Sequence, residues 1–276
     1  MDRSLKQKVV NLFLYRSASA LAISVLLVSC ASIPQDMSTV RSDLAPEGIL
    51  HAAINFGNPI LATKNPSTGK PQGVSVDLAR ELARRLDVPI ELVTYESAGR
   101  VVADADSGKW DIGFVALDPR RAEVVSFTAA YVVIEGAYLV ENDSPISRNE
   151  EVDSKGVRVV VGAGSAYDLF LTRNLTQATI VRSPTSPTVV DMFVEQNYEV
   201  AAGVKQQLEA DAMRLPGLRL LDGRFMEIKQ AMVTHPGRDV GANYLREFVE
   251  EMKASGFVAR ALERHDIDGA AVAPLE

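Results

Sequence analysis

Cysteine is nearly missing from this chain: Cys30 is the single one in 276 residues. No disulfide can form within the chain, and cysteine-ligated metal sites are excluded. Histidine is scarce too, and His51, His235 and His265 are too scattered to make a histidine zinc site. Gly-x-Ser-x-Gly, His-Glu-x-x-His, Walker loops and Cys/His pairs do not occur, so none of the chemistries they signal is indicated. The adjacent carboxylates Glu150-Glu151 and Glu250-Glu251 do not face one another as an acid/base pair would, and read as solvated surface. Basic residues are outnumbered, 29 Lys and Arg against 36 Asp and Glu for a net charge of −7. A body that acidic is a poor partner for nucleic acid or an anionic membrane surface. Beyond residue 30 no apolar run is long enough to span a bilayer. No cofactor and no metal are expected.

What is present begins at the front. Arg3, Lys6, Lys8 and Arg16 make a basic region, residues 18–28 an apolar one, and Leu27-Val28-Ser29 runs into Cys30. Basic flank, short apolar run and small-residue exit describe a secretory signal over residues 1–29. Leu-Val-Ser-Cys resembles a bacterial lipobox, which implies cleavage before Cys30 and lipidation of that residue. Cleavage after Ala31 is the alternative, and would remove Cys30 with the signal. The polar, aperiodic stretch 30–47 is expected to be a tether.

From Ile49 strand-like and helix-like segments alternate. Residues 49–56 read as a strand; Val76, Leu78, Ala79, Leu82, Ala83 and Leu86 recur at helical spacing; residues 90–95 and 110–115 read as strands, with a short helix at 100–106 between them. A polar linker at 141–156 follows the apolar run 132–140, and the alternation then restarts. The pattern predicts an α/β protein with parallel sheets in two lobes, 48–133 with 230–276 and 134–229. The apolar segments 132–140 and 228–234 are the two expected hinge crossings, with a cleft rather than one continuous sheet between the lobes.

Several segments together resemble the family 3 bacterial solute-binding proteins, the receptors of polar amino-acid ABC importers. Gly48-Ile49-Leu50 followed by Asn58-Pro59, then Thr68-Gly69-Lys70-Pro71-Gln72-Gly73-Val74 leading to Asp77-Leu78-Ala79, is similar to that family's opening. Ser107-Gly108-Lys109-Trp110-Asp111-Ile112 is similar to its next signature. Arg121 ahead of Phe127, Thr128 and Tyr131 resembles its arginine-to-FSxPY segment, and Gly164-Ser165 its second-lobe turn. The resemblance covers nearly all of residues 48–265. It implies a periplasmic-binding-protein fold, closure of two lobes over one small polar ligand, an ABC permease as partner, a monomer, and a lipid-anchored periplasmic location. The fold also resembles the cyclohexadienyl dehydratases, and a ligand-sensing partner of a signalling receptor is a third possibility.

Two stretches depart from the family. Where it usually carries Gly-x-Thr and a second threonine for the ligand carboxylate, this chain reads Gly113-Phe114-Val115-Ala116-Leu117-Asp118-Pro119-Arg120-Arg121. Where it often places an aspartate for the ammonium, the chain reads Lys205-Gln206-Gln207. Arg121 is the leading candidate, because a guanidinium meets a carboxylate with two parallel charge-assisted hydrogen bonds. Gly164 and Ser165 form a turn at a helix start, suited to an anion or simply to capping. Asn55 and Asn58 stand at the carboxyl edge of the first strand, where open α/β sheets bind ligands. Gln206, with Lys205, starts a second-lobe helix expected to face the cleft. Phe56 is expected to be core, Asp77 a helix N-terminal residue and Trp110 a packing residue.

Overall fold

Residues 36–276 are described by the computed structural model; the expected signal peptide at 1–29 and the lipidation site Cys30 lie outside the described residues. The chain runs through α1 (Met37–Leu44), β1 (Leu50–Asn55), a short hairpin of β2 (Thr63–Lys64) and β3 (Pro71–Gln72), α2 (Val74–Leu86), β4 (Ile90–Tyr95), α3 (Ala98–Ala103) and β5 (Ile112–Ala116). The long strand β6 (Ser126–Glu141) leads into β7 (Arg158–Gly162), α4 (Ala166–Asn174), β8 (Thr179–Ser183), α5 (Val189–Glu195), β9 (Val200–Val204), α6 (Lys205–Arg214) and β10 (Leu218–Leu220). β11 (Met226–Thr234) then returns, and α7 (Asp239–Ala254), α8 (Phe257–Arg264) and β12 (Ala271–Val272) close the chain.

Two lobes follow from the pairing. In the first, β1 is parallel to β4 and β5; in the second, β7 is parallel to β8 and β9. β11 pairs antiparallel with β5 and β6, and β6 with β9. The sheet is therefore continuous, in the order β4-β1-β5-β11-β6-β9-β7-β8, where the sequence pattern predicts no continuous sheet. The reason is length. The 16 residues of β6 extend roughly 50 Å at strand rise, enough to pair in both lobes. Register shifts on either side of Ala231 interrupt the β6–β11 ladder, and the Met232 amide there donates to Thr128 Oγ1 instead. Such irregularities bend and twist a strand pair. β12 adds a further pairing at Val132 and Val133 of β6.

Apolar spacing sets the helices. α2 buries Val74, Val76, Leu78, Ala79, Leu82, Ala83 and Leu86, each large side chain contributing about 1.5–3 kcal/mol on removal from water. α7 buries Leu245, Phe248, Val249 and Met252 the same way. α3 starts two residues before the expected 100–106 because Ser97 caps it, accepting from the Arg100 amide. The expected tether at 30–47 is corrected from Met37 onward. Asp36 accepts the Ser38 amide as N-cap, and Val40 and Leu44, four apart on one face, are buried beside Gly241 of α7, whose amide donates to Asp43.

No helix among the described residues is long and apolar enough to cross a membrane.

Candidate functional site

Parallel strands from both lobes end at one place. β1 stops at Asn55, β5 at Ala116, β7 at Gly162 and β9 at Val204, and a cleft of about 390 Å³ lies among these carboxyl ends, as open α/β sheets dictate. The first lobe lines it with Asn55, Gly57, Asn58, Ser97, Ala116 and Arg121. The second lobe supplies Ser165, Ala166, Tyr167, Ser186 and Val204, and Ile228 and Gln230 of β11 form the floor.

Arg121 opens a 3-10 turn over Arg121–Glu123. Asp118 sets up that turn, taking the Arg120 amide on Oδ1 and the Ala122 amide on its carbonyl. Arg121 is 3% exposed; Nη1 donates to the Ala116 carbonyl at 2.9 Å and Nη2 crosses to the Gly164 carbonyl of the second lobe at 2.8 Å. Burial pulls its pKa down to about 10, with nearby Asp118 pulling the other way. Guanidinium keeps its proton at any physiological pH, and the hydrogen-bond partners of this buried cation are two neutral carbonyls. An anion in the cleft would supply what is missing.

Asn58 is 7% exposed, and its Nδ2 and Oδ1 have no partner among the described residues. An unsatisfied buried polar group costs about 1–3 kcal/mol, and such groups mark places completed by something else. Asn55 combines two roles: its Oδ1 holds the Gly57 amide at 2.9 Å while the side chain lines the cleft.

The Gly164-Ser165 turn is a cap first. Ser165 Oγ accepts the Asp168 amide at 3.0 Å, and Asp168 Oδ2 accepts the Gly164 amide at 2.8 Å. The carboxylate of Asp168 thus occupies the anion position expected there for a solute. Gly164 does not line the cleft; its part is to present its carbonyl to Arg121 and to let the lobes meet. Its φ of +69° favours glycine, and a Cβ there would stand 3.0 Å from Gly99 Cα. The contact between lobes is completed by Arg173, whose Nη2 lies 2.8 Å from Asp118 Oδ2.

Gln206, expected to face the cleft, does not. Its Nε2 donates to the Asp268 carbonyl at 3.2 Å, because the loop before β12 lies over the start of α6. Lys205 is likewise turned away, paired with Glu135 at 3.1 Å. Asp77 is held by Arg264 and His265, Phe56 packs against the core beneath Lys64, and Trp110 is buried, donating to the Val101 carbonyl and stacked on His235. Sequence patterning missed Ser97, Tyr167, Ser186 and Gln230. Gln230 carried a signal, as a polar residue inside the apolar segment 228–234. Ser97 carried another, as a cap directly after a strand. Tyr167, whose phenol is raised by burial, carried none.

The sequence profile described as "Bacterial extracellular solute-binding proteins, family 3" matches residues 54–265. The glutamine-binding protein of Geobacillus stearothermophilus is 29% identical over 194 residues, 68% of this chain and 71% of that protein. Among solved structures, the solute receptor for L-cysteine of Neisseria gonorrhoeae superposes with a TM-score of 0.71 at 22% identity, over 83% of this chain and 92% of its own. An ancestral amino acid-binding protein described as a precursor of cyclohexadienyl dehydratase gives 0.69 at 20% identity, over 81% of this chain and 97% of its own. At these identities the two structures speak for the fold alone.

Proposed function

Because the chain belongs to the family 3 bacterial extracellular solute-binding proteins, we propose that it is the extracytoplasmic receptor of an ABC importer and captures a small carboxylate by closing its lobes. One observation carries this reading: Arg121 is the only charged side chain lining the cleft among the described residues, and it is buried and poorly compensated. The relative named for glutamine binding supports a carboxylate-bearing solute. Closure is the signal to the permease, so the solute must bind the closed form better than the open one. Arg121–Gly164 and Arg173–Asp118 are the contacts that closure makes, and β6 and β11 are the hinges. The lobes are residues 48–133 with 230–276 and residues 134–229, and the protein works as a monomer. It sits in the periplasm, anchored through lipid on Cys30, so Cys30→Ala should leave the membrane fraction; equal membrane retention of the variant would reject the anchor.

A dehydratase would need an acid at the reacting bond. The cleft lining offers no Asp, Glu or His among the described residues, which favours the receptor over that enzyme. The test is a thermal-shift screen of small carboxylates against their amides. A ligand at 100 times its Kd adds about 2.7 kcal/mol, so binders will raise the melting temperature visibly. Carboxylates should do so and their amides should not; amides acting equally well would reject a carboxylate receptor.

A further inference from the structure

The charges around the cleft restrict the solute further than its having a carboxylate. Three buried carboxylates surround the site, and each is already engaged by an arginine. Asp118 holds Arg173 and the Arg120 amide. Asp168 holds Arg182, Thr172 and the Gly164 amide. Asp211 lines an adjoining pocket, which shares Gly57, Tyr167, Ser186 and Val204 with the cleft. There Arg214 takes its Oδ1 at 2.8 Å and Gln207 its Oδ2 at 3.1 Å. Among the described residues that line the cleft and its neighbour, no carboxylate is left over for a cation in the solute.

The free hydrogen-bonding capacity points the same way. Ser97 Oγ and Ser165 Oγ each accept a backbone amide, which leaves each hydroxyl its proton and one uncharged lone pair. Arg121 offers only donors. Among the described residues that line the cleft, Asn58 is the one whose carboxamide is both buried and unpartnered, with one donor side and one acceptor side open. An ammonium would bring three protons and a positive charge into a site whose one fixed charge is already positive, and like charges at low dielectric repel strongly. A hydroxyl or a carboxamide both gives and receives, which is what Asn58 lacks.

We propose, resting on the reading of the cleft as a carboxylate receptor, that the solute is a carboxylate whose second polar group is a hydroxyl or a carboxamide and not an ammonium. The solute's carboxylate meets Arg121, its uncharged polar group meets Asn58, and Ser97 and Ser165 add their protons. An α-amino acid of the same skeleton binds less well because its ammonium finds only neutral acceptors.

Matched acids test this by calorimetry on the purified protein: lactate against alanine, glutaramate against glutamine, succinamate against asparagine. The best-bound hydroxy or carboxamide acid should bind at least tenfold tighter than its amino partner. An amino acid that binds as well as or better than its partner overturns the inference while leaving the carboxylate receptor intact. Failure of every carboxylate to bind at millimolar concentration overturns both. Asn55→Asp supplies a second readout, since aspartate keeps the acceptor for the Gly57 amide and adds a negative charge at the cleft. The preference should move at least tenfold toward the amino acid; an unchanged ratio overturns the charge basis of the proposal.

Discussion

The two walls of the cleft use their polar groups in opposite ways. On the second-lobe wall nearly every polar group near the turn is satisfied from within: Ser165 and Asp168 cap α4, and Arg182 and Thr172 complete the Asp168 carboxylate. On the first-lobe wall the cation of Arg121 has only carbonyls to meet, one of them borrowed from the other lobe, and the Asn58 carboxamide meets nothing. A satisfied wall is rigid and gives shape. An unsatisfied wall is held in readiness for a partner, and its cost is recovered when the partner arrives. On the proposed reading, the solute would attach first to the first lobe and the second would close over it.

Arg121→Met breaks this comparison most severely. The side chain keeps much of its volume and loses the charge. Affinity for the best carboxylate should fall by about 2–5 kcal/mol, the range for truncating one member of a buried charge pair. Ligand-free stability should stay within about 1 kcal/mol, since relief of a buried, poorly compensated cation offsets the two lost carbonyl bonds. Calorimetry and urea denaturation read the two quantities separately. A large loss of stability with little loss of affinity would make Arg121 a structural residue.

Asp168→Ala tests the other wall. It removes a buried carboxylate that receives the Gly164 amide and Arg182. The expected loss is about 1.5–3 kcal/mol of folding stability, as for hydrogen bonds to a charged group, with a smaller loss of affinity. An affinity loss matching that of Arg121→Met, with stability unchanged, would show that the lid recognises the solute directly and would erase the distinction between the walls.

The distribution of roles between the walls also explains what could be read from sequence. The fold was legible because α2 and α7 carry their apolar residues at helical spacing and the buried strands read as apolar runs. Asn55, Asn58 and Ser165 could be singled out because each is polar at or just after a strand end, and Arg121 chiefly through the family resemblance; all four line the cleft. Gln206 failed for a reason local spacing does not contain, since what turns it away is a loop more than sixty residues later, at Asp268. The helix at Met37–Leu44 failed because its apolar face is only Met37, Val40 and Leu44, and it is fixed by α7, far along the chain. The continuity of the sheet failed because pairing across two lobes depends on how far β6 reaches. Long-range contact, not local propensity, decided all three.

The smallest expected effect sharpens the comparison where the walls touch. Gly99 lies in the first turn of α3, and a Cβ built on it would stand 3.2 Å from Gly164 Cα across the cleft mouth. Alanine is a better helix former than glycine by about 0.5–1 kcal/mol, so Gly99→Ala should stabilise the first lobe by up to that amount. The same methyl group makes the second lobe stand off by a few tenths of an ångström. That lengthens the Arg121–Gly164 bond, which crosses at the same point. The variant should therefore melt slightly higher without ligand and gain less from ligand than the parent does. A single substitution that raises stability and lowers affinity separates packing within a lobe from closure between lobes. If Gly99→Ala binds as tightly as the parent and closes as fully, the Gly99–Gly164 approach does not limit closure, and the lid is positioned by Arg173 and Asp118 alone.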